Sequence, residues 1–556
     1  MRPIPKTIWR LGGGIVLGAV LGLAVSGAQE PFVTKVTKAV EIFTALLRQV
    51  VTQYVEPVDP EALMEPALEA LLAKLDPYSR YIDEQGSDEL DILSTGSYVG
   101  IGIVAALRDD SLLTVVEVHE GSDAWRAGIR VGDRLYRVDS AVVLHLAGRQ
   151  LRRYTRGEPG TTVDLVVLRE RLDGGYDTLR MQVRREEVRL PSVTIAELIQ
   201  DSIAYIRLER FSRKAVEEVR AALAALHRRA PLRGLILDVR DNPGGLLDVA
   251  VNICGLFLPP NTPLLTVRGR DPQQDRTYYA YVAPLETELP MAVLINGGSA
   301  SASEILAGVL QDLDRALIVG TPSMGKGLVQ SVLSLPYGTA LRLTTARYYT
   351  PSGRTLQKQP IPFIAPRPPD TPQRFATRNG RRVLGNVGVI PDTIVESPDS
   401  LPEPIRWLQR EGWISRFATA YAAQYSKLPE HFRATPEMLE LFERYLARHG
   451  KTPALYPLST ALTQALQHAS ETLPPASVRT LERIVVQSRQ AERSLLWQYQ
   501  ASVLPALERE ILARFLPRWR ISERFLPNDP QLQVAAELVG SQRYYRILAT
   551  SPGNER

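Results

Sequence analysis

Between residues 203 and 346 the chain alternates short β-rich runs with segments of helical periodicity, and nothing else in the sequence limits the fold as strongly. The runs Leu235–Val239, Ala292–Ile295, Ala316–Val319 and Leu341–Ala346 are mostly apolar, while Ala215–Arg229 and Glu304–Leu313 carry apolar residues three and four apart. That alternation predicts a layered α/β core. A chain of 556 residues has room for several further folded units. With 44% hydrophobic and 23% charged residues it is not collagen, a coiled-coil rod or wholesale disorder. The one cysteine, Cys254, excludes an intramolecular disulfide and a cysteine-based zinc knuckle. A net charge of +5 without a run of five like charges gives no sign of a nucleic-acid partner.

The regions around the core read differently. Residues 1–30 have the pattern of an export segment: Arg2, Lys6 and Arg10, no charge from Leu11 to Gln29, and the small residues Ser26-Gly27-Ala28. Cleavage after Ala28 and retention of residues 11–29 as a membrane tether both fit, and both place the body outside the cytoplasm, periplasmic or anchored. Residues 31–95 read as a helical region, with Val36, Val40, Phe43, Leu47 and Val50 at helical spacing, elements broken or started at Pro57, Pro60 and Pro66, and a turn at Leu75-Asp76-Pro77-Tyr78-Ser79. Residues 96–187 are short strands divided by glycines, and 188–398 hold the α/β core with a loop over 356–380. Residues 399–556 read as an α-helical extension in which Thr435-Pro436-Glu437 opens one helix and Gly450 closes it; its stripe of Leu439, Leu441, Phe442 and Tyr445 is either core or a partner surface.

Within 96–187, Ser97-Tyr98-Val99-Gly100-Ile101-Gly102-Ile103 reads as a turn running into a strand. Successive N–H groups at Tyr98, Val99, Gly100 and Ile101 can form a nest for a free C-terminal carboxylate while the strand edge pairs with the peptide. Ala127-Gly128-Ile129-Arg130-Val131-Gly132-Asp133-Arg134-Leu135 resembles a stretch shared by PDZ domains, with residues 146–154 as the groove helix. Asp123 departs from the proline usual there. A generic small β domain is the plainer alternative.

Three segments of the core carry chemistry: Asp238-Val239-Arg240-Asp241-Asn242-Pro243-Gly244-Gly245, Ser299-Ala300-Ser301-Ala302-Ser303-Glu304-Ile305, and Gly325-Lys326-Gly327-Leu328-Val329-Gln330. Each alone has a structural explanation, the first as a turn and the second as a helix capping box. Gly320 to Lys326 has the spacing of a phosphate-binding loop. Gly327 stands where that loop needs Ser or Thr, however, and a strand pattern follows where a helix should begin. Together the segments point to acyl transfer. A serine hydroxyl needs a base, and the six histidines (His119, His145, His227, His431, His449 and His468) all lie away from these segments; a triad with a remote histidine stays open but has no support. A lysine serves instead where burial, which disfavours the ammonium, brings its pKa towards neutrality. The chain has nine lysines against fifty-seven arginines, so a lysine between two glycines stands out. Gln330 can hold its amine, and the start of the helix at Ala302 with the Gly244/Gly245 turn can offer oxyanion N–H groups.

In order and spacing these motifs resemble the carboxyl-terminal processing (tail-specific) serine peptidases, over about residues 32–395. The resemblance implies Ser301 as nucleophile, Lys326 as general base, Gln330 as its positioner and Asp312 in a supporting role. Gly245 and Ala302 would supply the oxyanion amides, with Gly244 competing for the first. It further implies a multidomain α/β protein: a crotonase-like protease core, an inserted PDZ domain that captures the substrate tail and gates the site, and no cofactor or metal. Tyr348-Tyr349-Thr350-Pro351-Ser352-Gly353-Arg354 and Gly388-Val389-Ile390-Pro391-Asp392 extend the likeness. Met324 in place of Phe, and Tyr78 in place of His, depart from it without removing a catalytic group. The expected activity is an exported serine endopeptidase acting near free, apolar C-termini, with homo-oligomers through the N- and C-terminal helices as an option. The reading from another class is an inactive PDZ scaffold binding C-termini, which would need none of Ser301, Lys326 and Gln330.

Overall fold

The computed structural model describes residues 30–83, 92, 94–108, 112–146, 148–358, 372–396, 401–429, 431–449 and 457–549; the export segment, most of the 356–380 loop and Gly450 lie outside them. The chain divides into two compact units, the first ending at Tyr81 and the second beginning at Ile82. The first holds helices α1 (Glu30–Gln53) and α2 (Pro60–Ala73). Asp59 caps α2 by accepting the Glu61 N–H at 3.0 Å, and Pro60 takes the first helical position, where no N–H is required. Pro66 was expected to break or start an element but lies inside α2. Asp76 closes the next turn, its carboxylate accepting the N–H groups of Tyr78 and Ser79 at 2.7 Å each. On α1, Phe32, Val36, Val40 and Phe43 are exposed.

The second unit begins with a small β module on a two-stranded stem. Strands β1 (Ser97–Gly100) and, where the chain leaves the module, Glu186–Arg189 pair antiparallel, Ser97 opposite Arg189. Between them an antiparallel sheet runs in the order β2 (Ile103–Leu107), β3 (Leu113–Val118), β4 (Arg134–Val138), Thr162–Glu170, Tyr176–Arg184. Strand β2 is an edge, with helix α3 (Gly148–Thr155) packed beside it. Alternation along β3 sends Leu113 and Val115 into a core with Leu135, Leu165 and Leu151 of α3, and leaves Thr114 and Val116 on the other face.

The α/β core is a six-stranded sheet in the order β5 (Val193–Ile199), β6 (Ile203–Leu208), β7 (Gly234–Asp238), β8 (Met291–Ile295), β9 (Leu317–Gly320), β10 (Thr393–Ile394); it is parallel except for the β5–β6 pair. Its four inner strands, β6 to β9, are buried on both faces, which explains their mostly apolar runs. Leu235, Leu237, Val293 and Ile318 pack under helices α4 (Ala215–Arg229), α5 (Leu247–Gly255) and α6 (Ala302–Asp312). Their neighbours Ile236, Leu294, Leu317 and Val319 pack against the C-terminal helices Pro530–Val539 and Gln542–Ala549. The end of the helical extension therefore closes the second face of the sheet. The rest of the extension has its own core, in which Leu439, Phe442 and Tyr445 are buried and Leu441 is partly covered. The 356–380 loop reading needs correction at its end: Gln373–Ala376 pairs with Arg382–Gly385 across the Asn379-Gly380 turn. Asn-Gly at a tight turn is a hairpin signal that outweighs the surrounding polar composition.

A buried polar cluster pins the extension to the core. Asp238, at the end of β7, accepts bonds from Arg240 Nη2 at 2.6 Å, Tyr205 Oη at 2.6 Å and Arg207 Nη1 at 3.3 Å. Arg240 also reaches Asp529 at 2.7 Å and Gln531 at 2.8 Å. Burial alone would raise the Asp238 pKa, but the two guanidinium groups outweigh it and hold the carboxyl well below its ordinary value.

Candidate active site

The chain after β7 turns at Asn242-Pro243-Gly244-Gly245 and is stitched to the start of α6 through Asn242. Its carbonyl accepts the Ala300 N–H at 3.1 Å and the Ser303 hydroxyl at 2.8 Å, and its side-chain amide donates to Leu208 O at 2.8 Å. A Cβ on Gly244 would stand 2.7 Å from Ala300 O and 2.9 Å from Ala302 N; one on Gly245 would meet Phe211 O at 2.5 Å. Both glycines have positive φ, 104° and 149°. The turn requires glycine for conformation and for close approach to the serine.

The three serines differ. Ser299 and Ser303 are fully buried, with hydroxyls donating to Val239 O at 2.7 Å and Asn242 O at 2.8 Å. Ser301 is half-buried at the N-cap of α6, with φ 54° and ψ −111°. A side chain held in that glycine-favouring region costs about 1–3 kcal/mol, and such strain concentrates at reactive positions.

Glu304 joins the serine to the lysine loop. It is fully buried, and one carboxylate oxygen accepts the Ser301 N–H at 2.9 Å and the Lys326 N–H at 2.8 Å. The other accepts the Gly325 N–H at 2.7 Å and the Ser323 hydroxyl at 2.5 Å. The Ser301 and Lys326 backbones thus converge on a single oxygen. Burial pushes the Glu304 pKa above its ordinary value, while the Ser323 hydroxyl and the three N–H groups pull it down. Lys326 is half-buried between two required glycines: a Cβ on Gly325 would lie 2.5 Å from Lys358 Cβ, and one on Gly327 would lie 2.6 Å from Gln357 N. Its carbonyl accepts from the buried Tyr348 hydroxyl, which also lies 3.4 Å from Ser301 O. Tyr348 and Ser323 were not assigned roles from sequence, and Glu304 was read only as a cap.

The other expected site residues separate. Gly244 N–H is engaged by its own turn, donating to Asn242 Oδ1 at 2.9 Å. Among the described residues nothing accepts the N–H groups of Gly245 or Ala302, which favours Gly245 over Gly244 as an oxyanion donor. Gln330 lies on strand Leu328–Ser334 opposite Thr344, and its amide donates to Thr344 Oγ1 at 3.4 Å. Asp312 ends α6 about 15 Å of helix away from Ser301. There it pairs with Arg354 at 2.8 Å and accepts the Ser352 N–H at 3.0 Å, so it braces the loop after Tyr349. Tyr98, Val99 and Gly100 lie in the stem ribbon, and the Ile101 N–H donates to Thr155 O at 3.3 Å. Strand pairing engages alternate amides of Ser97–Gly100 and Thr155 O takes that of Ile101, so residues 98–101 build the module's stem and do not present an unbroken row of free amides.

Three family models match the chain: Peptidase family S41 over residues 202–364, PDZ domain over 114–169, and Probable PDZ-protease, C-terminal helical domain over 405–539. The last covers a stretch that the sequence reading left outside any resemblance. The carboxy-terminal-processing protease of Bartonella bacilliformis is 34% identical over 364 residues, 65% of this chain and 75% of the relative. The carboxy-terminal processing protease CtpB of Bacillus subtilis is 32% identical over 343 residues, 60% of this chain and 68% of the relative. Among solved structures, the photosystem II D1 C-terminal processing protease matches with 26% identity and a TM-score of 0.39, over 65% of this chain and 88% of that one.

Proposed function

Because the chain belongs to the carboxy-terminal processing proteases of peptidase family S41, with a PDZ domain, we propose that it is a serine endopeptidase that cuts protein substrates near their C-termini through a Ser301/Lys326 dyad on a crotonase-like core. The observation that carries this reading is the single Glu304 oxygen shared by the Ser301 and Lys326 N–H groups. Ser301 Oγ attacks the scissile carbonyl carbon as the neutral Lys326 amine takes its proton. The charge that develops on the carbonyl oxygen faces the N–H groups of Gly245 and Ala302. Collapse breaks the C–N bond, and the leaving amine takes a proton from the Lys326 ammonium. The ester left on Ser301 is then attacked by water deprotonated at Lys326, freeing the new carboxylate. Gln330, whose amide nitrogen donates to Thr344 Oγ1, has its carbonyl oxygen to offer the lysine amine.

The test uses an unfolded substrate with an apolar C-terminus. Ser301→Ala and Lys326→Arg should each lower kcat by roughly a thousandfold or more, since arginine keeps its proton. A covalent acyl-enzyme trapped from the wild type should map to Ser301. Wild type that cleaves no faster than Ser301→Ala would leave the PDZ scaffold as the reading. We place tail recognition in the groove between edge strand β2 and α3. A substrate carboxylate there competes with Thr155 O for the Ile101 N–H, and this exchange is how the PDZ domain would gate the site. Amidating the substrate C-terminus should slow cleavage, whereas equal rates would remove tail recognition alone. The basic, apolar and small-residue pattern of 1–29 supports export. The exposed apolar residues of α1 support self-association through the N-terminal helices.

A further inference from the structure

The second unit contains a cavity of about 720 Å³ where the PDZ sheet, the core and the C-terminal helices meet. It lies on the face of β3 carrying Thr114 and Val116, across the sheet from α3, and neither Ser301 nor Lys326 lines it. It is therefore separate from the peptide groove and from the dyad. Trp125, Ile129 and Leu516 give it apolar walls, and its size is that of a small-molecule site.

Its charge is unbalanced. Most carboxylates facing it are already neutralised: Glu120, which also accepts Trp519 Nε1–H at 2.9 Å, by Arg520 at 3.2 Å, Glu170 by Arg416 at 3.3 Å, Glu209 by Arg207 at 3.3 Å, and Glu510 by Arg514 at 2.5 Å. Glu117 lies 3.5 Å from His119, whose pKa burial lowers, so Glu117 and Glu411 are the acids without a cationic partner among the described residues. Arg210 and Arg518 also line the cavity, and among the described residues no acceptor binds either guanidinium. The Nε of Arg210 is buried, so its N–H has given up water without gaining a protein acceptor. A buried donor left in that state is costly, and an oxyanion removes the cost with short charge-assisted bonds.

We propose that this cavity binds a small oxyanion carrying more than one charge, a phosphate ester or an oligocarboxylate, held by Arg210 from the core and Arg518 from the helical extension. The proposal does not rest on the protease reading. The experiment is calorimetric titration of the full chain with pyrophosphate and, separately, with citrate at about 150 mM salt, where exposed charges are screened. Wild type should bind at least one of the two, and Arg210→Gln should weaken that binding about tenfold or more. Arg518→Gln, at an exposed position, should weaken it several-fold and guards against misfolding of the half-buried Arg210 variant. Arg228→Gln, exposed on α4 away from the cavity, should bind as wild type does. Binding of neither anion by wild type, undiminished binding by both cavity variants, or equal weakening by Arg228→Gln overturns the proposal.

Discussion

Asp238 and Glu304 are both carboxylates closed off from solvent, one just before the Asn-Pro-Gly-Gly turn and one just after the serine packed against that turn. Asp238 is held by two guanidinium groups, and its pKa falls despite burial. Glu304 is held by three N–H groups and a hydroxyl, and burial wins, so its pKa rises. Full charge compensation suits a permanent fastening, here of the helix Pro530–Val539 to the sheet through Arg240, Asp529 and Gln531. Dipoles suit a junction that holds Ser301 and Lys326 in one geometry without giving the site another cation. The physical difference is that a carboxylate paired with arginine tolerates the loss of a neutral donor, whereas one held by dipoles depends on every donor.

The comparison breaks most visibly at Arg240. Arg240→Leu leaves Asp238 with Arg207, Tyr205 and the residue-240 N–H, and leaves Asp529 with only the Gln531 and Leu532 N–H groups that it caps; removing one side of a buried pair costs about 3–5 kcal/mol. Hydrogen exchange in Pro530–Val539 should quicken accordingly. Unchanged protection there would mean that apolar packing alone, from Leu532, Ala535 and Val539, holds the helix. The next largest effect belongs to Glu304→Gln. An amide NH₂ replaces one oxygen and turns a donor towards two donors, so either the Ser301/Lys326 pair or the Ser323/Gly325 pair loses its acceptor. We expect kcat to fall about a hundredfold, near 2.7 kcal/mol, with KM little changed. A variant that keeps wild-type kcat would show that Glu304 only caps α6.

Acid sharpens the same contrast. Because the folded pKa of Glu304 stands above its unfolded value, this group adds stability below the unfolded value and withdraws it as pH rises through the folded one. Asp238 has the opposite sign: its contribution is present above the unfolded pKa and lost as pH falls through the folded one. Acidification should therefore protonate Glu304 and lower activity beyond what protonation of the Lys326 amine alone does, while the Asp238 fastening still holds. A kcat profile whose acid limb is the same in Glu304→Gln as in wild type would assign that limb to another group.

Much of this site was legible because its marks are local. Ser301 stands out by small neighbours at a helix start, Lys326 by flanking glycines in an arginine-rich chain, and Gly244 and Gly245 by turn chemistry. Glu304 was legible only as a cap, since Ser-x-x-Glu is a three-residue spacing; its bonds to Ser323, Gly325 and Lys326 span nineteen or more residues and leave no periodic trace. Asp312 was given a supporting role by the resemblance alone, and no local signal placed it at the far end of α6, paired with Arg354. The unbroken apolar runs of β7, β8 and β9 announced a sheet covered on both faces. Helices α4 to α6 account for one face, and no local signal named Pro530–Val539 as the other cover. The stem of the PDZ domain was hidden for a similar reason: Tyr98 and Val188 pair across ninety residues.

The smallest effect tests whether Glu304 acts alone. The Tyr348 hydroxyl touches the carbonyls of both Lys326 and Ser301, so the junction is held from the carbonyl side as well as the amide side. Tyr348→Phe keeps the buried ring and removes only that donor, a change worth about 1 kcal/mol. If the two fastenings are independent, Tyr348→Phe lowers kcat a few-fold, and its effect multiplies with that of Glu304→Gln. If they fix one shared geometry, the double variant loses little more than Glu304→Gln alone, because the first break already frees the lysine loop. The measured coupling separates a junction with two supports from a junction with one, and a Tyr348→Phe enzyme as fast as wild type would leave the carboxylate as its only organiser.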